Sequence, residues 1–296
     1  MISVDEYLNE VLAIAKPLAP LDMPLLDAHG ATLASDVYAG ARLVIRAGGR
    51  IRAIHIGLAA SIGMDHLPTR PHPRVVVISA GEDLTEPGHA IDERHSYESN
   101  SWLLTTAVRE AEAIGYRVHT IPDTTEELKD LIEDQLVRAD LVVISSGPRS
   151  VEMMRSALNS LGEIHEREVA MSPSGHHSYG LIGPDQTPVI TLPSDPQSAY
   201  ISCELFVRPM IRQMLGRKNL SHRTLSAILE GELSGQEGVR NFHDAIITHD
   251  NQTLRVRPAD DSTRAEANGL IVLDEGSSEK RGGSEVPVIL IDRRAD

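Results

Sequence analysis

Carboxylates set beside small residues can hold a metal ion or a metal-bound oxyanion, and Ser79-Ala80-Gly81-Glu82-Asp83-Leu84 has that composition. Mg²⁺ in particular takes one or two carboxylates and fills its other positions with water and substrate oxygens. The same residues also suit a helix start, where Glu82 and Asp83 would face the positive end of the dipole. A second cluster, Ser146-Gly147-Pro148-Arg149-Ser150, offers hydroxyls and backbone amides ahead of a helix, with Arg149 adding charge. That is an anion seat or a plain turn. Neither cluster is GxGxxG or a P-loop, so generic dinucleotide and nucleoside-triphosphate sites are disfavoured. The pair His176-His177 beside Gly175 and Ser178 reads as a solvated loop or a non-metal ligand contact, because adjacent histidines share one ion less readily than an i, i+4 pair. Without a GxSxG elbow no hydrolase triad can be ordered.

Both clusters follow apolar runs, Arg74-Val75-Val76-Val77-Ile78 and Leu141-Val142-Val143-Ile144, which have the composition of buried strands. Parallel strands of an α/β sheet end this way, and ligands bind at the loops beyond their carboxyl ends, so a pterin-sized or nucleotide-sized pocket is expected there. Between residues 74 and 216 strand and helix patterns alternate. Helices are predicted at 99–113, at 125 onward capped by Thr124 with Glu127, near Met153–Leu161, and at 197–215. Strands are predicted at 117–121, 140–145, 163–170 and 189–192. This is a mostly parallel sheet covered on both faces, a three-layer α/β domain. Ahead of it, Ser3 and Glu6 form a capping box for a helix that Pro17 and Pro20 stop, and a second short helix spans Ala53 to Ala60. After residue 216 the pattern changes to five short strands at 223–229, 242–248, 254–258, 269–273 and 286–291. The predicted boundaries are thus a helical and extended front segment 1–63, an α/β domain 64–216, and a small β domain 217–296.

Composition limits the partners. Of 296 residues 28 are Lys or Arg and 43 are Asp or Glu, giving a net charge of -15 with scattered basic residues, which disfavours nucleic acid and anionic membrane. Only Lys16, Lys129, Lys218 and Lys280 are lysines, and none lies between Asp130 and Arg217. Codon bias toward arginine is one reading of this; the other turns on the loss of the compact ammonium charge suited to anions. The single Cys203 excludes an internal disulfide and a cysteine-rich metal site. The acidic start and the lack of a run of about 18 apolar residues argue against a signal peptide or membrane span, so a cytoplasmic address is expected.

Several stretches, in order along nearly the whole chain, resemble the molybdopterin molybdenumtransferases, the MoeA and gephyrin E-domain family. Ser79-Ala80-Gly81-Glu82-Asp83-Leu84, followed by Pro87-Gly88, is similar to the family's STGDEL and PG. Tyr97-Glu98-Ser99-Asn100-Ser101 resembles YDSNS, and Ile121-Pro122-Asp123 resembles the acidic site after the second strand. Val169-Ala170-Met171 with Pro173 resembles KVAMKPGKP, Leu192-Pro193-Ser194-Asp195-Pro196-Gln197-Ser198-Ala199 resembles LPGNPVSA, and Ala267-Asn268-Gly269-Leu270-Ile271 matches ANGLI. The resemblance implies a MoeA-like fold and a role in molybdenum cofactor biosynthesis, in which molybdate is inserted into adenylylated molybdopterin with Mg²⁺ and AMP is released. It implies an acidic set of Asp83, Asp123 and Glu152, with Asp83 and Asp123 toward the metal. The pocket would be shaped by Ser79, Gly81, Glu82, Ser99, Asn100, Ser146, Gly147, Ser150, Pro193, Asp195, Pro196 and Ser198. It also implies a homodimer, and the gephyrin branch implies that such an architecture can bind a protein partner.

Four departures stand out. The family's PPFDNSAMDGYA-containing subdomain, which covers the active site, is missing after Gly40. The SGGVSVGxxD loop has become Ser146-Gly147-Pro148-Arg149-Ser150-Val151-Glu152. Both lysines of KPGKP are replaced, by Ser172 and Gly175, and PGNP has become Pro193-Ser194-Asp195-Pro196. An added carboxylate and two lost cations make a poorer site for molybdate or pyrophosphate. The expectation is therefore a transferase-type protein with weak or lost activity, the alternative being a non-catalytic scaffold.

Overall fold

In the computed structural model, which describes residues 1–250, 253–277 and 279–291, the chain divides into two units. One comprises residues 10–165 and 179–220, the other residues 1–9, 166–178 and 221–296. The division differs from the boundaries read along the chain, because residues 1–9 and 166–178 group with the carboxy-terminal strands rather than with the segments that surround them in sequence.

The larger unit is organised by two runs without exposed surface, Val75 to Ile78 and Leu141 to Ile144. They form β1 (Arg74–Ala80) and, after β2 (Ile114–Arg117), β3 (Leu141–Ser146). With β4 (Gly162–Glu168), β5 (His176–Ile182) and β6 (Thr187–Leu192) they build one sheet in the order β4-β5-β6-β3-β1-β2. β1 runs parallel to β2 and β3, and β3 parallel to β6. Ser145 lies opposite Ser79 and Ser146 opposite Ala80, so the loops after β1 and β3 leave the sheet level with each other. On one face, Leu128 and Ile132 of α2 (Thr125–Leu136) and Met154, Ala157 and Leu158 of α3 (Val151–Leu161) pack on Val76, Ile78, Val142, Ile144 and Val189. The helix Asn100–Glu110, here α1, packs instead against β1 and β2, burying Leu104 and Val108. Thr124 caps α2 as expected, its hydroxyl accepting the Glu127 amide at 3.2 Å.

Three elements depart from the sequence expectation. The strand predicted at 117–121 falls at 114–117. Gly115 has no side chain there, and a Cβ would lie 2.9 Å from the Thr105 carbonyl and from Val108, so helix and strand meet at this point. The predicted long helix 197–215 is α4 (Pro196–Ser202), a π turn at Cys203–Val207 and α5 (Arg208–Met214). The wide turn precedes Pro209, which has no N–H to give, and the Arg208 amide reaches back to the carbonyl of Cys203. His176 and His177 begin a strand rather than sit in a loop. Alternation turns His176 outward and buries His177, whose ring lies 5.3 Å from that of Tyr7.

Ahead of β1, the strands Leu21–Pro24, His66–Arg70 and Thr32–Leu33 form a small sheet over a core of Ala28, Leu33, Val37, Ile45, Ile51, Ala59 and Leu67. Where the family resemblance implies an inserted subdomain, Val37–Ala39 and Arg42–Ile45 pair antiparallel, and the chain turns through Gly40 and Ala41 with Gly40 at φ +60. Glycine as first central residue of a two-residue hairpin loop suits a type II′ turn.

In the smaller unit β7 (Thr224–Leu229), β8 (Arg240–Asp250), β9 (Thr253–Pro258), β10 (Gly269–Leu273) and β11 (Glu285–Leu290) pair in the order β8-β9-β7-β11-β10, and β10 pairs back to β8, closing the ring. Leu229, Ala245, Ile247, Val256, Ile271 and Val288 fill it. Asn268 substitutes for a strand residue. Its side chain accepts the Ile247 amide at 2.7 Å and donates to the Ile247 carbonyl at 3.0 Å. Gly269 is required beside it, since a Cβ would meet the Ile247 side chain at 2.4 Å. The ANGLI motif thus has a structural explanation. No helix among the described residues is long and apolar enough to cross a membrane.

Candidate active site

The loops after β1, β3 and β6 supply the candidate residues, and hydrogen bonds tie them together. Ser79, at the end of β1, donates from its hydroxyl to Glu98 at 2.7 Å. Glu98 is 1% exposed and also accepts from the Ser101 amide at 2.7 Å and the Ser101 hydroxyl at 2.6 Å. Arg117, at the end of β2, closes this network with a contact to Glu98 at 3.4 Å, a bond to Glu86, and a stack of its guanidinium 4.1 Å from the centre of the Trp102 ring. A buried carboxylate with this many donors is stable where a lone one would not be. Glu98, Ser101 and Arg117 were not singled out from the sequence. The available signal was the acid three residues before Ser101, the spacing at which a side chain reaches the first-turn amides of a helix.

Asn100 performs the second tie. Its amide donates to the Ser145 hydroxyl at 2.7 Å and to the Ser194 carbonyl at 2.8 Å, joining α1 to the ends of β3 and β6. The Ser145 hydroxyl in turn bonds the carbonyl of Pro193 at 3.2 Å. Ser99 is the exposed N-cap of α1 and makes no side-chain cap bond. Asp195 caps α4: its carboxylate accepts the Ser198 amide at 2.8 Å and hydroxyl at 2.7 Å, with Pro196 in the first turn. The carboxylate that departs from the family pattern is therefore occupied with its own helix.

The two glycine loops pack face to face. A Cβ on Gly147 would fall 2.1 Å from Asp83 Oδ1, and one on Gly81 would lie 2.9 Å from the same oxygen and 3.1 Å from the Ser150 hydroxyl. Gly81 also has φ +151, and its amide donates to the Pro122 carbonyl at 3.0 Å, bringing the segment that carries Asp123 alongside. Asp83 is 4% exposed, and its Oδ1 is buried without a hydrogen-bond partner. Its other oxygen faces Arg149 Nε at 3.7 Å. Ser146 and Ser150 are buried beside it, while Glu82 is exposed.

The remaining members of the acidic set are not buried with Asp83. Asp123 is exposed ahead of α2, and Glu152 is exposed in the first turn of α3, paired with Arg155 at 2.9 Å. Among the described residues no group of three or more His, Cys, Asp or Glu side chains is placed to share a metal ion. Asp83 offers one oxygen sealed under two glycines and one facing a guanidinium, so these residues do not fit a resident Mg²⁺.

A mostly parallel sheet whose strand-end loops bring glycines and buried serines together has the architecture of an α/β ligand-binding domain. The family model described as "probable molybdopterin binding domain" matches residues 76–213. The molybdopterin molybdenumtransferases 1 and 2 of Mycobacterium tuberculosis are 32% and 34% identical to this chain over 84% and 86% of its length, covering 62% and 65% of theirs. Two solved structures of a molybdopterin biosynthesis MoeA protein from Pyrococcus horikoshii match 99% and 98% of the chain, and 99% and 100% of their own, with TM-scores of 0.83 and 0.79 at 19% and 17% identity. The chain thus has a MoeA-like fold and is similar over most of its length to the molybdopterin molybdenumtransferases of molybdenum cofactor biosynthesis, and it spans under two thirds of the length of those mycobacterial relatives.

Proposed function

We propose that the chain binds molybdopterin or its adenylylated form at the cleft between the loops after β1, β3 and β6, and that its insertion of molybdate is weak or lost. What supports the reading is the acidic set. Asp83 is buried against Gly147 and faces Arg149, whereas Asp123 and Glu152 are exposed, and Glu152 is paired with Arg155. Binding requires only the shaped cleft, held by Asn100 and Glu98. Insertion requires negative charge on molybdate and phosphate to be offset, and the substitutions Ser172 and Gly175 stand where the family has cations. A homodimer in the cytoplasm belongs to the same proposal, by family resemblance.

The test is molybdate-dependent AMP release from adenylylated molybdopterin, run beside direct pterin binding, with Asp123→Ala as control. Saturable binding with turnover at the blank level is the expected result. Robust turnover abolished by Asp123→Ala would show an active transferase instead.

A second reading, a scaffold for a protein partner, is favoured by two cavities at the opposite end of the sheet. They measure about 580 and 510 Å³, share Leu136, Val137, Asp185 and Thr187, and surround Val137, which is 89% exposed.

A further inference from the structure

We infer that Arg149 is the oxyanion-binding residue of this cleft and that Asp83 holds it in reserve, competing with the ligand for the same guanidinium. The inference rests on the proposed molybdopterin-binding reading and deepens it. The ligand chemistry is a tetrahedral oxyanion, either the phosphate of an organic substrate or molybdate itself.

Three observations carry it. First, Arg149 meets Asp83 at 3.7 Å through Nε, beyond the length of a formed hydrogen bond, and its remaining tie is to the Arg94 carbonyl. Its side chain is 53% exposed, so much of the five-donor fork faces solvent. Second, Asp83 is buried and its Oδ1 has no hydrogen-bond partner, an incomplete arrangement for an acid in a designed ion pair. Third, Arg149 stands one residue ahead of Ser150, the N-cap of α3, a helix of 11 residues, and Ser150 makes no side-chain cap bond. A planar fork next to uncapped amides binds an oxyanion well. A carboxylate a few ångströms away weakens that binding twice, by repelling the anion and by holding the cation.

The two partners of this ion pair should therefore act in opposite directions. Binding of AMP, of adenosine as its phosphate-free control, and of molybdate is measured by calorimetry at low ionic strength. Arg149→Gln should weaken oxyanion binding by about tenfold or more, the usual weight of charge-assisted hydrogen bonds, and Arg149→Lys should recover part of it. Asp83→Asn should tighten it, and thermal melts establish that each variant is folded. An effect on AMP alone assigns the residue to a phosphate ester, and an effect on molybdate alone assigns it to the metal oxyanion. Unchanged affinity in Arg149→Gln, a variant of an exposed side chain, overturns the inference. So does weakening by both substitutions, the behaviour of a structural pair, or no binding of either probe to the unaltered chain. If Arg149-dependent binding persists while no pterin is bound, the molybdopterin reading falls and this inference stands.

Discussion

Gly147→Ala tests how tightly the cleft is built. The added methyl would fall 2.1 Å from Asp83 Oδ1, 2.8 Å from its Cγ and 3.0 Å from its Oδ2, and these are the three nearest heavy atoms. Gly147 does not have a positive φ, so the backbone itself accepts alanine and the whole cost comes from displacing one buried carboxylate. Forcing such a group from its place costs about 1–3 kcal/mol by the ordinary weight of overpacking. The clash has a single partner, which makes the prediction sharp. In an Asp83→Ala background the same Gly147→Ala change should cost only a few tenths of a kcal/mol, giving a coupling energy of about 1–2 kcal/mol between the two sites. Urea unfolding of the four proteins, with unchanged denaturant dependence, measures it. Equal cost of Gly147→Ala in both backgrounds, or no cost in the unaltered chain, would mean that Asp83 does not lie against this loop. The burial argument for Asp83 would then be wrong.

Other predictions follow from buried charge. Burial pushes His177 down to about 4 from its ordinary 6.5, a backbone bond near Gly175 opposing that shift and His176 adding to it. The folded state thus resists a proton that the unfolded chain accepts. Stability should be flat above pH 6.5 and fall by about 3 kcal/mol as pH drops toward 4, and His177→Phe should flatten that slope in pH-dependent unfolding. Glu204 holds Arg208 in the interior at 2.6 and 2.9 Å, so Glu204→Ala should cost about 3–5 kcal/mol by stranding a guanidinium, and Glu204→Ala with Arg208→Met should cost less by thermal melt. Asn268→Ala should remove both bonds to Ile247 and destabilise by about 1–3 kcal/mol without altering pterin affinity, since its role is in the closed strand ring.

Local rules made much of the scaffold visible beforehand. Ser3 and Glu6 form the capping box they promised, with the Ser3 amide 2.8 Å from Glu6 and the Glu6 amide 3.2 Å from the Ser3 hydroxyl. β1 and β3 are visible because burial on both faces leaves an uninterrupted apolar run. The strand His66–Arg70 was not visible, because Pro68 interrupts its pattern and its partners Leu21–Pro24 and Thr32–Leu33 are distant in sequence. Long-range pairing also explains His177: nothing near it in the chain announces the contact with Tyr7. In the candidate site, residue types pointed to the loops after β1, β3 and β6, but exposure separated Asp83 from Asp123 and Glu152, and exposure depends on how three loops pack.

The same packing bears on what the altered residues do. Gly147 lets Asp83 sink against the backbone, and the chain then turns through Pro148 to put Arg149 beside the carboxylate. Asp195 is likewise spent on its own helix, and Gly175 stands where a Cβ would meet the Val169 carbonyl at 2.3 Å, so that loop in its present form has no room for a lysine. Asp195 and Gly175 are thus each fixed by a contact of their own, and a lysine at position 175 would require the chain to move. Asn100, Gly81 and Asn268, which match the family motifs, have bonds or close approaches that any version of this fold would need. Asn100 and Gly81 hold the strand-end loops in place, Asn268 holds the strand ring of the other unit, and the charge beside Gly147 is the pair of Asp83 and Arg149.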